Sequence, residues 1–424
     1  MLCSKSIRFY IAWLLFAAST NVVHLENCFG QKKEAEEVTE ALQPVDPADL
    51  TTLLGHTVEI TFNDGYHQAF LEVTDTIAGK APGGLRSIKI RPVGARKKKT
   101  INAKNIVEIY LDEQPLDVTY DRKQRSLIHD PEKRSARIAH DERVTSRLRS
   151  IGHRKWQPLT DQQQAEFVNK QRKFLEEVQE ALPHVEFRLV ETEFFMVFTN
   201  LPSEQVDGYL ASLDAMYREL CLAFGLSNQK NVWCGKCVVL PFSSERDYLV
   251  FESVVMKNDD ARGSQGLCHQ RGNGEVIFAG FRRDNDTVFG SVLVHETSHG
   301  FIHRYLSSAR IPSWLNEGMA DWIANAIMKP RHIPLKQLRS AQLVKQNGGW
   351  GDFLSAKRIS FDHYGSASSL VEILVSQDKG GQFREFFKGI KEGKAGEESL
   401  KDSFGISYAD LTAIYAEYLS RIPD

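Results

Sequence analysis

The stretch that most constrains this chain is His295-Glu296-Thr297-Ser298-His299, entered through Val292-Leu293-Val294 and left through Gly300. On a helix, residues four apart lie one turn above each other on the same face. His295 and His299 can then present two imidazole nitrogens to one metal ion, with Glu296 beside them to take a proton from water. One such pentapeptide arises by chance in roughly a few of every hundred chains of this length. The pentapeptide needs company before it carries a function.

The next segment supplies it. Ile311-Pro312-Ser313-Trp314-Leu315-Asn316-Glu317-Gly318-Met319-Ala320-Asp321-Trp322 reads as a second helix, started at Pro312 with Ser313 as its N-cap. Glu317 falls in the first turns, and Asp321 stands one turn later on the same face. A catalytic zinc commonly takes three protein ligands and keeps a fourth position open. His295, His299 and Glu317 make such a set. Asp321 is placed to accept the free ring N–H of a ligating histidine. Gly318 removes a side chain where the two helices need to approach closely.

H-E-x-x-H followed within about twenty residues by W-L-N-E-G-x-A-D-W resembles the gluzincin zinc metallopeptidases, whose thermolysin-like members share the E-x-x-x-D pattern. The fit looks closest to a group of exported bacterial gluzincins with an N-E-G-x-A motif. The resemblance covers residues 186–424, with specific motifs only around 288–322. Metzincins would need a glycine and a third histidine further on; Ile302 and Tyr305 stand at those positions. His303 lies one turn past His299, too far along the axis from His295 to share its metal, and reads as a neighbour of the site or a surface residue.

The resemblance implies an α+β chain: a zincin-like metallopeptidase domain with a mixed sheet, the motif helix and a helical C-terminal part. It also implies one catalytic Zn2+ and hydrolysis of peptide bonds, with Glu296 as general base. In zincins a sheet edge strand beside the active-site helix binds substrate in an extended form. By resemblance that strand is 276–280, with Ala279 and Gly280 touching substrate; an interior core strand is the alternative. Related enzymes place a Tyr or His from the downstream helical region over the zinc. Tyr364 is the candidate, with His363 next, and a core-packed tyrosine is the alternative.

The rest of the chain frames this domain. With 424 residues, 42% apolar and 25% charged, it has room for two or three domains. A net charge of −2 gives no case for nucleic acid as partner. Residues 1–30 read as an export signal, with Lys5 and Arg8 ahead of a short apolar core and cleavage after Ser19 or Gly30. The expected location is periplasmic, cell-surface or secreted, with an uncleaved signal as anchor or lipidation at Cys28 as alternatives. Residues 31–49 read as a linker.

Strand alternation at 57–62, 69–73, 87–91 and 106–110 marks 50–121 as a small SH3-like or Sm-like β-barrel, a docking module for the cell envelope. Arg96-Lys97-Lys98-Lys99 reads as a charged hairpin tip. Residues 122–185 read as a helical spacer. Asp286 or Thr287 is expected to cap the motif helix, running from about Val288 to Leu306. Export favours disulfides among Cys221, Cys234, Cys237 and Cys268, with a structural zinc site made of all four cysteines or a redox C-x-x-C as alternatives. Two other functions stay open beside the peptidase: a zinc-binding scaffold without turnover, and a hydrolase of a non-peptide amide such as a cell-wall cross-link.

Overall fold

The computed structural model describes residues 44–422, apart from 64–66, 112–113, 227–229, 284 and 379–380. The expected export signal and most of the linker therefore lie outside the described residues. Asp46–Asp424 pack as one compact unit of mixed α+β structure.

Short strands of alternating burial build a curled antiparallel sheet at the N-terminal end. Its strands are β1 (Thr57–Phe62), β2 (His67–Ala78), β3 (Leu85–Pro92), β4 (Lys99–Asn102), β5 (Ile106–Leu111), β6 (Gln114–Pro115), β7 (Val118–Asp121) and β8 (Ser126–His129). They run in the order β6-β5-β1-β2-β3-β8-β7, with β4 on β3. Val58, Ile60, Val73, Ile88, Ile90 and Ile109 are buried. Register shifts at Val58/Ile60 and Val73/Asp75 give the local bends that curl such a sheet. Arg96 to Lys99 lie exposed where β3 turns toward β4. The sheet runs to His129 rather than ending at 121. The Asp121 carboxylate accepts from the backbone N–H of Lys123 and Gln124 and turns β7 into β8.

Helix α1 (Pro131–Ser150) starts at Asp130, whose side chain caps the Lys133 N–H. It is tied to the sheet by a two-pronged Arg137–Asp117 pair, both contacts at 2.8 Å. Helix α2 (Asp161–Ala181) opens on a Thr160–Gln163 capping box. It packs Leu175 and Val178 onto a second sheet, and so forms part of that layer rather than a free spacer.

The second sheet comprises β9 (Arg188–Glu191), β10 (Phe195–Thr199), β11 (Cys237–Phe242), β12 (Gly266–Gln270) and β13 (Val276–Phe281), in the order β12-β13-β11-β10-β9. The three central strands are parallel, and β12 and β9 are antiparallel edges. β11 and β13 are buried along their whole length, as strands covered on both faces must be. Alternate side chains serve two cores. Phe195, Val197, Val239, Val276 and Phe278 face α3 (Ser203–Phe224) and α5 (Asp286–Arg304). Met196, Val238, Leu240 and Ile277 face α2, α4 (Glu245–Val250) and the π-helical turn Phe251–Val255.

The remainder is helical: α6 (Ser313–Met328), α7 (His332–Gln346), α8 (Tyr364–Ser376), α9 (Gln382–Lys391), α10 (Gly396–Phe404) and α11 (Tyr408–Leu419). Buried Lys391 donates to the carbonyls of Ile302 (2.9 Å) and Ala309 (2.8 Å) and so ties α9 to the C-terminal end of α5. Among the described residues no helix is long and apolar enough to cross a membrane.

Candidate metal centre

The motif helix is α5, and its cap is Asn285 rather than Asp286 or Thr287. The Asn285 side chain accepts from Thr287 N–H (2.8 Å) and Val288 N–H (3.3 Å). Gly300 faces the sheet, where a Cβ would run into Val276 and approach Cys268 Sγ at 3.3 Å. Its bare backbone lets α5 lie close against the edge of the sheet. His295 and His299 then project one turn apart, with ring centroids 4.9 Å apart and planes at 88°.

Helix α6 brings the third group. No side chain caps it; Ser313 is its first residue, and its hydroxyl accepts instead from Ile359 N–H at 3.2 Å. Glu317 Oε2 lies 3.4 Å from His295 Nε2 and 3.6 Å from His299 Nε2. All three candidate ligand atoms fall within 4.8 Å of one another. Tetrahedral zinc bonds of ~2.0–2.1 Å would hold ligand atoms roughly 3.3–3.5 Å apart, so these residues suit the ion's size and donor preference. No other cluster of this kind occurs among the described residues.

Asp321, only 3% exposed, accepts from His295 Nδ1 at 2.9 Å through Oδ1. A carboxylate can only accept here, so Nδ1 carries a proton and Nε2 faces the Glu317 carboxylate. His299 Nδ1 has no hydrogen-bond partner. Burial opposes charge on His295, yet the Asp321 and Glu317 carboxylates raise its pKa to about 10. Burial likewise opposes charge on Glu317, and the two imidazoles nevertheless hold its carboxyl far below the ordinary range. Buried Asp321 is also held low, by His295 and Lys336.

Tyr364 opens α8 at this cluster. Burial pushes its hydroxyl pKa up, and the Glu317, Glu296 and Asp321 carboxylates add to the effect. Phe361, 70% exposed, stands with its ring centroid 5.3 Å from that of Tyr364. His363 instead packs edge-on against Phe353, with its Nδ1 unpartnered. His303 rests edge-on against Trp156, and burial with the charges of Lys391 and Arg304 drives its pKa down to about 4. His303 is not part of the ligand cluster.

Three expectations need correction. Ala279 and Gly280 lie on β13, paired with β11 on one side and β12 on the other, so their backbone offers no open edge. The edge strand beside α5 is β12, whose Cys268 approaches Gly300 and whose thiol pKa is pushed up by burial and by the Glu296 carboxylate. Gly318 does not face the motif helix. Its missing side chain lets α6 approach α8, where a Cβ would meet the Ala367 carbonyl oxygen at 2.5 Å. Cys221, Cys234, Cys237 and Cys268 are free thiols, not disulfides. Cys221 and Cys237 serve as core residues, and burial pushes both thiol pKa values up.

Sequence reasoning missed two members of the site. Lys336 on α7 bonds both Asp321 oxygens, at 2.7 and 3.1 Å. His332, one turn earlier, has its pKa lowered by burial and by Lys336, and also feels Asp321 and His295. Neither carries a motif; helix packing alone brings them here. No protein-family profile matches this chain, and no curated protein matches it.

Proposed function

We propose that this protein is a zinc-dependent peptidase of the gluzincin type, with a zincin-like fold around the second sheet and α5. The observation that carries the reading is the spacing of His295 Nε2, His299 Nε2 and Glu317 Oε2, which suits three ligands of one tetrahedral ion. Charge supports it. Three carboxylates, Glu296, Glu317 and Asp321, gather here against the one ammonium of Lys336, and this acidic setting, which also holds the His295 pKa up, favours a cation. When bound, zinc would lower the pKa of water and polarise the scissile carbonyl.

The chain's own residues do the rest. His295, His299 and Glu317 hold the ion, and Asp321 fixes the His295 ring. Glu296, next to His295 in sequence, takes a proton from the attacking water and delivers it to the leaving amine. Tyr364 donates its hydroxyl hydrogen to the oxygen that gains charge as the carbonyl is attacked. The outer edge of β12 has no strand partner among the described residues. An extended peptide can pair along it and reach Glu296 beside Cys268.

Peptide-library cleavage read by mass spectrometry tests this, comparing the zinc-loaded protein with its Glu296→Gln variant. Cleavage by the former and loss in the latter, with zinc retained by both, is the expected result. Equal cleavage by both would remove Glu296 from the base role. Zinc binding with no cleavage of any peptide would point to the scaffold or to a non-peptide amide.

A further inference from the structure

Lys336 is not one of the three ligands, yet it touches both the carboxylate behind His295 and the ring of Tyr364. Its ammonium bonds Asp321 Oδ2 at 2.7 Å and Oδ1 at 3.1 Å. The same Oδ1 accepts the His295 Nδ1 proton at 2.9 Å. Lys336 Nζ donates to Oδ2 of a carboxylate only 3% exposed, and so sets which way that carboxylate faces. A buried carboxylate with one oxygen stripped of its donor turns to find another, and the ring bonded to its other oxygen turns with it.

The ammonium also lies near two aromatic rings. Its nitrogen lies 5.7 Å from the Tyr364 ring centroid and 5.5 Å from that of Phe361, distances at which a cation is attracted to a ring face. Backbone packing locks this arrangement. Gly365, next to Tyr364, has no side chain, and a Cβ there would collide with the Lys336 carbonyl. Helices α7 and α8 therefore meet at the residues that carry the two functional groups.

We propose that Lys336 is a positioning residue of the metal centre. Through Asp321 it orients the ligand His295, and through its ring contact it seats Tyr364, so one side chain aligns both the metal ligand and the oxyanion donor. This inference rests on the zinc-peptidase reading. Its consequence is specific: loss of Lys336 weakens metal binding and slows the chemical step, while substrate affinity changes little.

The test compares full-length wild type with Lys336→Met and Lys336→Arg, each in the wild-type and Asp321→Asn backgrounds. Three readouts are taken: zinc affinity by chelator competition, the visible spectrum of the cobalt(II)-loaded protein, and kcat and KM on a cleaved peptide. Lys336→Met is expected to weaken zinc binding by about tenfold or more, the usual effect of losing a partner of a metal ligand. It should also alter the cobalt spectrum and lower kcat with little change in KM. Lys336→Arg, which can still fork onto Asp321, should recover most of the affinity. In the Asp321→Asn background, Lys336→Met should change zinc affinity by less than about twofold, because its route to the metal is already cut.

Unchanged zinc affinity and cobalt spectrum in Lys336→Met would overturn the inference, even if melting temperature fell; the residue would then only hold helices together. An equal loss of affinity in both backgrounds would overturn it too, since Lys336 would be acting by another path. Failure of the wild type itself to bind zinc would sink the metal reading and this inference together, a result distinct from either of the others.

Discussion

Gly318→Ala separates packing from chemistry at this site, because the two obvious influences of the substitution have opposite signs. In the middle of a helix, alanine is favoured over glycine by roughly 1 kcal/mol. At Gly318, however, the new Cβ would sit 2.5 Å from the Ala367 carbonyl oxygen, 2.7 Å from its carbon and 2.9 Å from Val371 Cγ2. Ordinary contact begins near 3.4 Å, so the shortfall against the oxygen is 0.9 Å (3.4 − 2.5). Two of the three obstacles are backbone and cannot swing aside. Helix α6 must back away from α8 by about that distance, and overpacking of this kind costs ~1–3 kcal/mol. Glu317 moves with it, and a shift near 1 Å at a precisely held site costs about a hundredfold in function. We expect Gly318→Ala to lose stability in urea denaturation of the metal-free protein and to bind zinc at least about tenfold more weakly by chelator competition. Gly208→Ala on α3, where a new Cβ meets nothing within 4 Å, is the control and should be neutral or stabilising. A Gly318→Ala protein as stable as wild type, with undiminished zinc affinity, would refute the claim that this approach sets the position of Glu317.

Tyr364→Phe should keep zinc affinity and lower kcat by about tenfold or more, as removal of an oxyanion donor does; an unchanged kcat in steady-state kinetics returns Tyr364 to a packing role. Glu317→Ala should reduce zinc content of the purified protein measured by atomic emission, and full occupancy would point to another third ligand. The metal-free protein should show a pH dependence of known sign. The folded pKa of His295 is raised from 6.5 to about 10, so its stabilising proton is fully present below 6.5 and lost as pH rises through 10. Glu317 is depressed from 4.5, so its contribution is present above 4.5 and lost as pH falls below that. Lys391, lowered by burial to about 7, works the other way, with stability rising between 7 and 10.5. The difference in denaturation midpoint between wild type and His295→Asn isolates the histidine, and should shrink from pH 6.5 toward pH 10. A difference that grows over that range would contradict the assigned shift.

The parts of the site that were legible in the sequence are those fixed by helical spacing. His295 and His299 need only one turn of helix, and Glu317 and Asp321 only one more. Tyr364 was reachable because it opens a helix at a recognisable start. Lys336 was not: it lies fifteen positions after Asp321, and the two meet only because α6 and α7 both pack against α8. Strand 276–281 is the interior alternative rather than the edge, for a physical reason that the sequence contains. Val276-Ile277-Phe278-Ala279-Gly280-Phe281 is an unbroken apolar run, the mark of a strand covered on both faces. Gly266-Leu267-Cys268-His269-Gln270 mixes polar and apolar residues, as an edge does. The free cysteines follow from hydrophobicity rather than from compartment. Cys237 begins the six-residue buried strand β11, where a thiol serves as a small apolar side chain.

The site also shows where its rigidity comes from. Glu317 and Asp321 lie on α6, Lys336 on α7 and Tyr364 on α8, three helices that contribute to one centre. Two contacts lock them, Gly318 against the Ala367 backbone and Gly365 against the Lys336 backbone. Such contacts have no rotamers to sample, so the spacing between helices is set by hard backbone atoms rather than by adjustable side chains. That matters because the named carboxylates repel one another and would drift apart on a looser frame. The ammonium of Lys336 offsets part of the repulsion, and the same carboxylates raise the pKa of His295. On the proposed reading a divalent ion displaces a proton from His295, so metal affinity would fall as pH drops. On the proposed reading, backbone contacts of this kind hold the three ligand side chains in place whether a proton or a metal ion sits among them.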